Sequence, residues 1–242
     1  IPLLSGFGCN VVAVFQSRGC SRCSRENCIS TIAFGSACSY QMGATLSLFS
    51  AAGHPGLFAP YLLLLFITGC AHTRLWGTRA IKHSERLEIA PGWLQRPRWR
   101  AVRWTVKNTL SQFLLQAMPL FLLICIVGSL LDYLDLIAAL SDVLSPVAAL
   151  FYLPAEVVPG ILFSLIRKDG LMVLNQDGGA LVHALTLTQL ILLVWIASTL
   201  MACLVTVLTI AREISWLFAA RLAAKQAVSS LFTAMMIALI FT

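Results

Sequence analysis

From Ala184 to Ala211 the chain runs 28 residues without a charged side chain, and from Asn108 to Leu131 it runs 24. A helix needs roughly 20 apolar residues to cross the hydrocarbon of a bilayer. Within lipid only helices and closed barrels satisfy their own backbone, and uninterrupted apolar runs of this length read as helices. Composition agrees: 59% of residues are hydrophobic and 11% charged, against about 25% charged in a soluble domain. The expected fold class is all-α, a polytopic integral membrane protein. No basic n-region and cleavage site precede the first apolar run, so residues 1–16 do not read as a signal peptide. The opening Ile1-Pro2 reads as part of a longer protein or of an incomplete frame.

The net charge of +7 is unevenly spread. Between Arg74 and Lys107 stand nine Lys/Arg against Glu85 and Glu88, with Trp76, Trp93, Trp99 and Trp104 among them. Basic residues interleaved with indoles also suit nucleic acid. A short basic loop between apolar segments is better explained by the positive-inside rule with interfacial tryptophans. Loop 74–107 is therefore expected on the cytoplasmic side, with no nucleic-acid partner. Residues 132–156 carry only Asp132, Asp135, Asp142 and Glu156 as charges, so this connection is expected on the opposite side.

Several apolar segments are interrupted. Residues 1–16 contain Gly6, Gly8, Cys9 and Asn10 in mid-run, and residues 29–53 are broken by "FGSACSYQMG". The stretch 144–163 holds three prolines, which argues against one continuous helix. Residues 17–28 read as a basic, cysteine-rich loop, 56–73 and 108–131 as plain spans, and 157–166 as a short apolar piece. Residues 184–211 read as a long span and 226–242 as a last one. The total is four to five full helices plus two or three broken or re-entrant segments. They divide into a first half at 1–73, the basic loop at 74–107 and a second half at 108–242. Irregular backbone at membrane depth survives where it is buried in protein or lines a cavity, and transporters build sites from such discontinuous helices.

Cys9 and Cys38 fall in the two glycine-rich interruptions. A thiolate suits borderline divalent metals such as Fe(II) and Zn(II), and a free cysteine is equally a small buried hydrophobe. Cys20, Cys23 and Cys28 place three thiols in nine residues. A closed metal site would need a fourth ligand, so they stand as accessory thiols or as incidental reduced ones. Asp169 ends an apolar piece, where a carboxylate is functional at membrane depth and merely solvated at the interface. Cys203 sits mid-run and reads locally as a packing residue. The chain has no Gly-x4-Gly-Lys-Ser/Thr phosphate loop and no HExxH or GxSxG motif. No nucleotide site, catalytic residue or enzymatic activity is expected within it.

"GFGCNVVAV", followed by Arg18, resembles the first gate motif GFGCNVPA of the ferrous iron transport protein B (FeoB) family. "ACSYQMGAT" is similar to that family's SCSARLPVY, placing Cys38 and Ser39 on its Cys-Ser. "FSLIRKDG" resembles its GFxxKE, with Lys168 and Asp169 on Lys-Glu. "ACLVTVLTIAREISW" resembles its closing PCVATxxxIRRE followed by SW, with Cys203 on the cysteine. The chain departs from the family at Val12, Gln41, Gly43, Asp169 and Ala202, the pattern of a divergent branch. The resemblance implies a two-half gate permease in the bacterial cytoplasmic (inner) membrane, with Fe2+ as the transported ion. Cys9, Cys38 and Cys203 would be pathway thiols, Asn10, Ser39 and Asp169 oxygen donors, and Gly6 and Gly8 gate glycines. It further implies membrane lipid as surroundings, a homo-oligomer as an option, and a GTPase domain upstream or in a separate chain. A gate-type protein carrying a nucleoside or another solute, or a non-transporting remnant, are the alternatives.

Overall fold

The computed structural model describes residues 2–20, 22–77, 98–175 and 179–241. It is all-helical, 86% helix with no strand among the described residues. The helices are α1 (Pro2–Gly6), α2 (Asn10–Gln16), α3 (Arg22–Gly35), α4 (Ser39–Ala51), α5 (Phe58–Trp76), α6 (Trp99–Gln112) and α7 (Met118–Tyr133). They continue with α8 (Leu136–Ala149), α9 (Val158–Ile166), α10 (Ala180–Ala184), α11 (Leu187–Thr199), α12 (Leu204–Glu213) and α13 (Trp216–Phe241).

Among the described residues, three stretches are long and apolar enough to cross a membrane: Pro55–Trp76, Leu187–Glu213 and Trp216–Ile240. A fourth is reached if the pair Phe121–Tyr133 and Leu136–Ala149, bent by 79°, counts as one broken span. The most apolar window of Leu187–Glu213 is 67% buried, against 22% and 28% for the other two. The α11–α12 line is therefore the axis around which the rest packs. α13 runs along both α11 and α12, α2 and α7 lean on α12, and α9 packs on α11. The 3-10 turn Gly170–Asn175 sits between α9 and α4. The largest core cluster joins Phe49, Tyr61, Leu162, Leu193, Trp195 and Ala234 from five helices.

Four segments differ from the sequence expectation. Helix α3 begins at Arg22, so most of the expected 17–28 loop is helical. Nothing from Arg22 to Phe34 is Gly or Pro, and helix then persists to the break at Gly35. The expected plain span 108–131 contains a π-helical segment, Phe113–Ala117. Pro119 two residues later removes one backbone donor and crowds the preceding turn, a cause of such bulges. The acidic connection 132–156 is mostly helix α8, entered through Asp135 in the left-handed conformation (φ 54°). The expected continuous span 184–211 is interrupted at residues 200–203. Of the expected basic loop, 78–97 lies outside the described residues, and α6 already begins at Trp99.

Beside the apolar core, small residues and polar contacts also join the helices. Gly35 of α3 faces Gly69 of α5 so closely that a Cβ at Gly69 would overlap the Gly35 backbone. Along α13, residues 226, 229, 230 and 233 form one polar stripe at helical spacing. Ser229 Oγ lies 2.8 Å from His72 Nδ1, and the Trp76 indole N–H donates to it at 2.9 Å. Ser230 and Thr199 hydroxyls meet at 2.6 Å, and the Trp195 indole donates to Thr233 at 2.9 Å.

Candidate functional site

The first break, Phe7–Cys9, separates α1 from α2, and the second, Ser36–Cys38, separates α3 from α4. The two are stitched together. Ser39 donates its backbone N–H (3.2 Å) and its hydroxyl (2.8 Å) to the carbonyl of Gly8. The Ser36 hydroxyl stands 3.0 Å from Asn10 Oδ1 and 2.6 Å from the Ile32 carbonyl. Gly6 makes this approach possible, because a Cβ there would stand 2.5 Å from Ser36 Oγ. Gly8 is less constrained, its Cβ meeting only the Ser5 carbonyl at 3.3 Å.

The third break, 200–203, has no Gly or Pro to cause it. Long-range partners hold it on both sides. The buried Lys168 ammonium donates to the carbonyls of Ala197 (3.0 Å) and Ser198 (2.8 Å) at the end of α11. The Gln226 side-chain oxygen accepts from the Ala202 N–H at 3.2 Å, ahead of α12. The backbone groups released by the break are thus partly satisfied inside the protein.

Each break presents a cysteine at the same helical position. Cys9 is the N-cap of α2, Cys38 of α4 and Cys203 of α12, all with extended ψ between 119° and 162°. All three cysteines line one cavity of about 200 Å³, together with Asn10, Lys168 and Asp169. Local sequence reads Cys203 as a residue within a continuous helix; the structure puts it at a helix start, its sulfur 3.0 Å from the Thr206 hydroxyl. Ser39 is exposed and bonded to Gly8, and does not line this cavity.

Asp169 reaches the cavity already paired. Arg167 grips it through two hydrogen bonds of 2.6 and 3.0 Å, while its other amino group donates to Cys125 Sγ at 3.3 Å. The same guanidinium lies 4.9 Å from the centre of the Phe121 ring, which in turn stacks on Tyr40. Lys168 and Arg167 were missed as site residues by sequence reasoning; the signal was their place at the end of α9, beside the one carboxylate singled out. Among the described residues, no three His, Cys, Asp or Glu side chains form a set that could hold a metal ion.

The accessory thiols stand apart. Cys20 and Cys28 sulfurs are 3.5 Å apart between the turn after α2 and helix α3. Burial, with the Cys20 contact second, pushes the Cys28 thiol up to about 12. That holds it protonated at neutral pH, the opposite of what a metal-acquiring thiol needs. The side chain of Cys23 lies outside the described residues.

No family model, no curated protein and no solved structure matches this chain.

Proposed function

We propose that this chain is the membrane permease region of a ferrous-iron uptake transporter. The observation that carries the reading is the meeting of Cys9, Cys38 and Cys203, from three chain-distant helix breaks, at one cavity. Cysteine sulfur, once it yields its proton to the ion, is a ligand suited to a borderline divalent metal, and Asn10 adds an amide oxygen beside these cysteines. The ion would exchange part of its water for these groups in turn, since conduction needs release as much as capture. In this reading residues 1–73 form the first gate half and 108–242 hold the second, with 74–107 on the cytoplasmic side of a bacterial inner membrane. A GTPase, fused or separate, would drive the cycle, and the permease would work in lipid, alone or as a homo-oligomer.

A second reading is favoured by one feature of the same cavity. Its wall is largely apolar and aromatic, with Tyr40, Phe113 and Phe121, and it carries the cations of Arg167 and Lys168. Such a lining suits an organic solute such as a nucleoside. Anaerobic titration of the purified protein with Co(II), a spectroscopic stand-in for Fe(II), separates the two. The iron reading expects a saturable thiolate-to-metal absorption band that the Cys9→Ser/Cys38→Ser variant loses. A wild-type protein without that band contradicts it and leaves the solute reading.

A further inference from the structure

Lys168 is 5% exposed, yet no carboxylate among the described residues pairs with its charge. The ion pairs among the described residues are Arg18–Glu213, Arg25–Glu213 and Arg167–Asp169, so the adjacent Asp169 is committed elsewhere. Two of the three ammonium donors go to the Ala197 and Ser198 carbonyls. A neutral amide would cap those carbonyls equally well, and burying a charge to do it is costly. What the charge adds is the occupation of a cation's position. The C-terminal carbonyls of α11 carry the negative end of the helix dipole, and the thiols of Cys38 and Cys203 line the cavity that Lys168 enters.

We propose that Lys168 is a tethered cation that fills this position while the pathway is empty, and that an entering divalent ion must displace it. Lys168 thereby sets how tightly the cavity holds a divalent cation and which ions dislodge it. Its withdrawal leaves the cavity's sulfurs and the carbonyl oxygens to the incoming ion. The inference rests on the cavity being a cation pathway, as proposed above.

The test is the same anaerobic Co(II) titration, applied to wild type, Lys168→Gln and Lys168→Arg. Gln keeps a donor for the carbonyls and removes the charge; Arg keeps the charge. Lys168→Gln is expected to bind Co(II) about tenfold more tightly, and Lys168→Arg no more tightly than wild type. Equal midpoints in all three proteins would overturn the inference while leaving the pathway reading standing. Absence of a thiolate band in wild type would overturn both. A measurement on the unaltered protein covers the case of a variant that does not fold. Acylation of Lys168 by an amine-reactive ester, followed by mass spectrometry, should rise when Co(II) saturates the protein; labelling unchanged by Co(II) would overturn the proposal.

Discussion

At the scale of single residues, neighbours in the sequence have separate tasks. Gly6 and Gly8 stand in the same motif, yet only Gly6 lies against a packed side chain. Gly6→Ala drives a methyl into Ser36 and strains its contact with Asn10, at a cost of about 1–3 kcal/mol. Gly8→Ala meets only the Ser5 carbonyl, at a tight 3.3 Å that a shift of a few tenths of an ångström relieves, and should change stability by less than ~1 kcal/mol beyond its backbone effect. Thermal unfolding of the two variants in detergent compares them directly. Cys28 is held protonated by burial, up to a pKa of about 12. The thiolate is the reactive form, so at pH 7.5 iodoacetamide should label Cys28 only slowly. Labelling of Cys28 should climb only as pH rises toward its raised pKa, which mass spectrometry of a pH series can follow.

At the scale of elements, the decisive features are breaks, and they differ in how they are encoded. The interruptions at 7–9 and 36–38 were legible because Gly6, Gly8, Gly35 and Ser36 weaken helix locally. The interruption at 200–203 was not, because Leu200, Met201 and Ala202 are good helix formers. It is imposed by Lys168 and Gln226, which are 30 and 24 residues from their partners Ser198 and Ala202. The π segment 113–117 was equally hidden, since Pro119 reads as a tolerable residue within an apolar run. Family resemblance pointed to Cys203 where local pattern pointed away, and the geometry places it with Cys9 and Cys38. Gln226→Leu removes the acceptor for the Ala202 N–H and should destabilise the protein by about 1–3 kcal/mol, measurable as a lower unfolding temperature in detergent. The turn between α8 and α9 is strained instead of broken, with Tyr152 exposed at φ 56°. Tyr152→Gly relieves a left-handed backbone worth about 1 kcal/mol, so it should raise the same unfolding temperature.

At the scale of the whole molecule, α2 packs against α12. Val14 of α2 packs in one cluster with Ile210 and Ala211 of α12. At the end of these helices Glu213 accepts from both Arg18 and Arg25, the latter at 3.0 Å. The two arginines hold the Glu213 carboxyl side of α12 against the segment that follows the first break. The side of the molecule carrying Cys9 is therefore tied mechanically to the helix that begins at Cys203. Cys9, at the start of α2, and Cys203, at the start of α12, line the same cavity. The central claim is that ferrous ion passes through this cavity by way of its thiols. Anaerobic uptake of radiolabelled Fe(II) by cells producing the protein tests it most directly. Cys9→Ser and Cys38→Ser, at wild-type abundance in the membrane, should each lower uptake by about tenfold or more; uptake at the wild-type rate in both would contradict it.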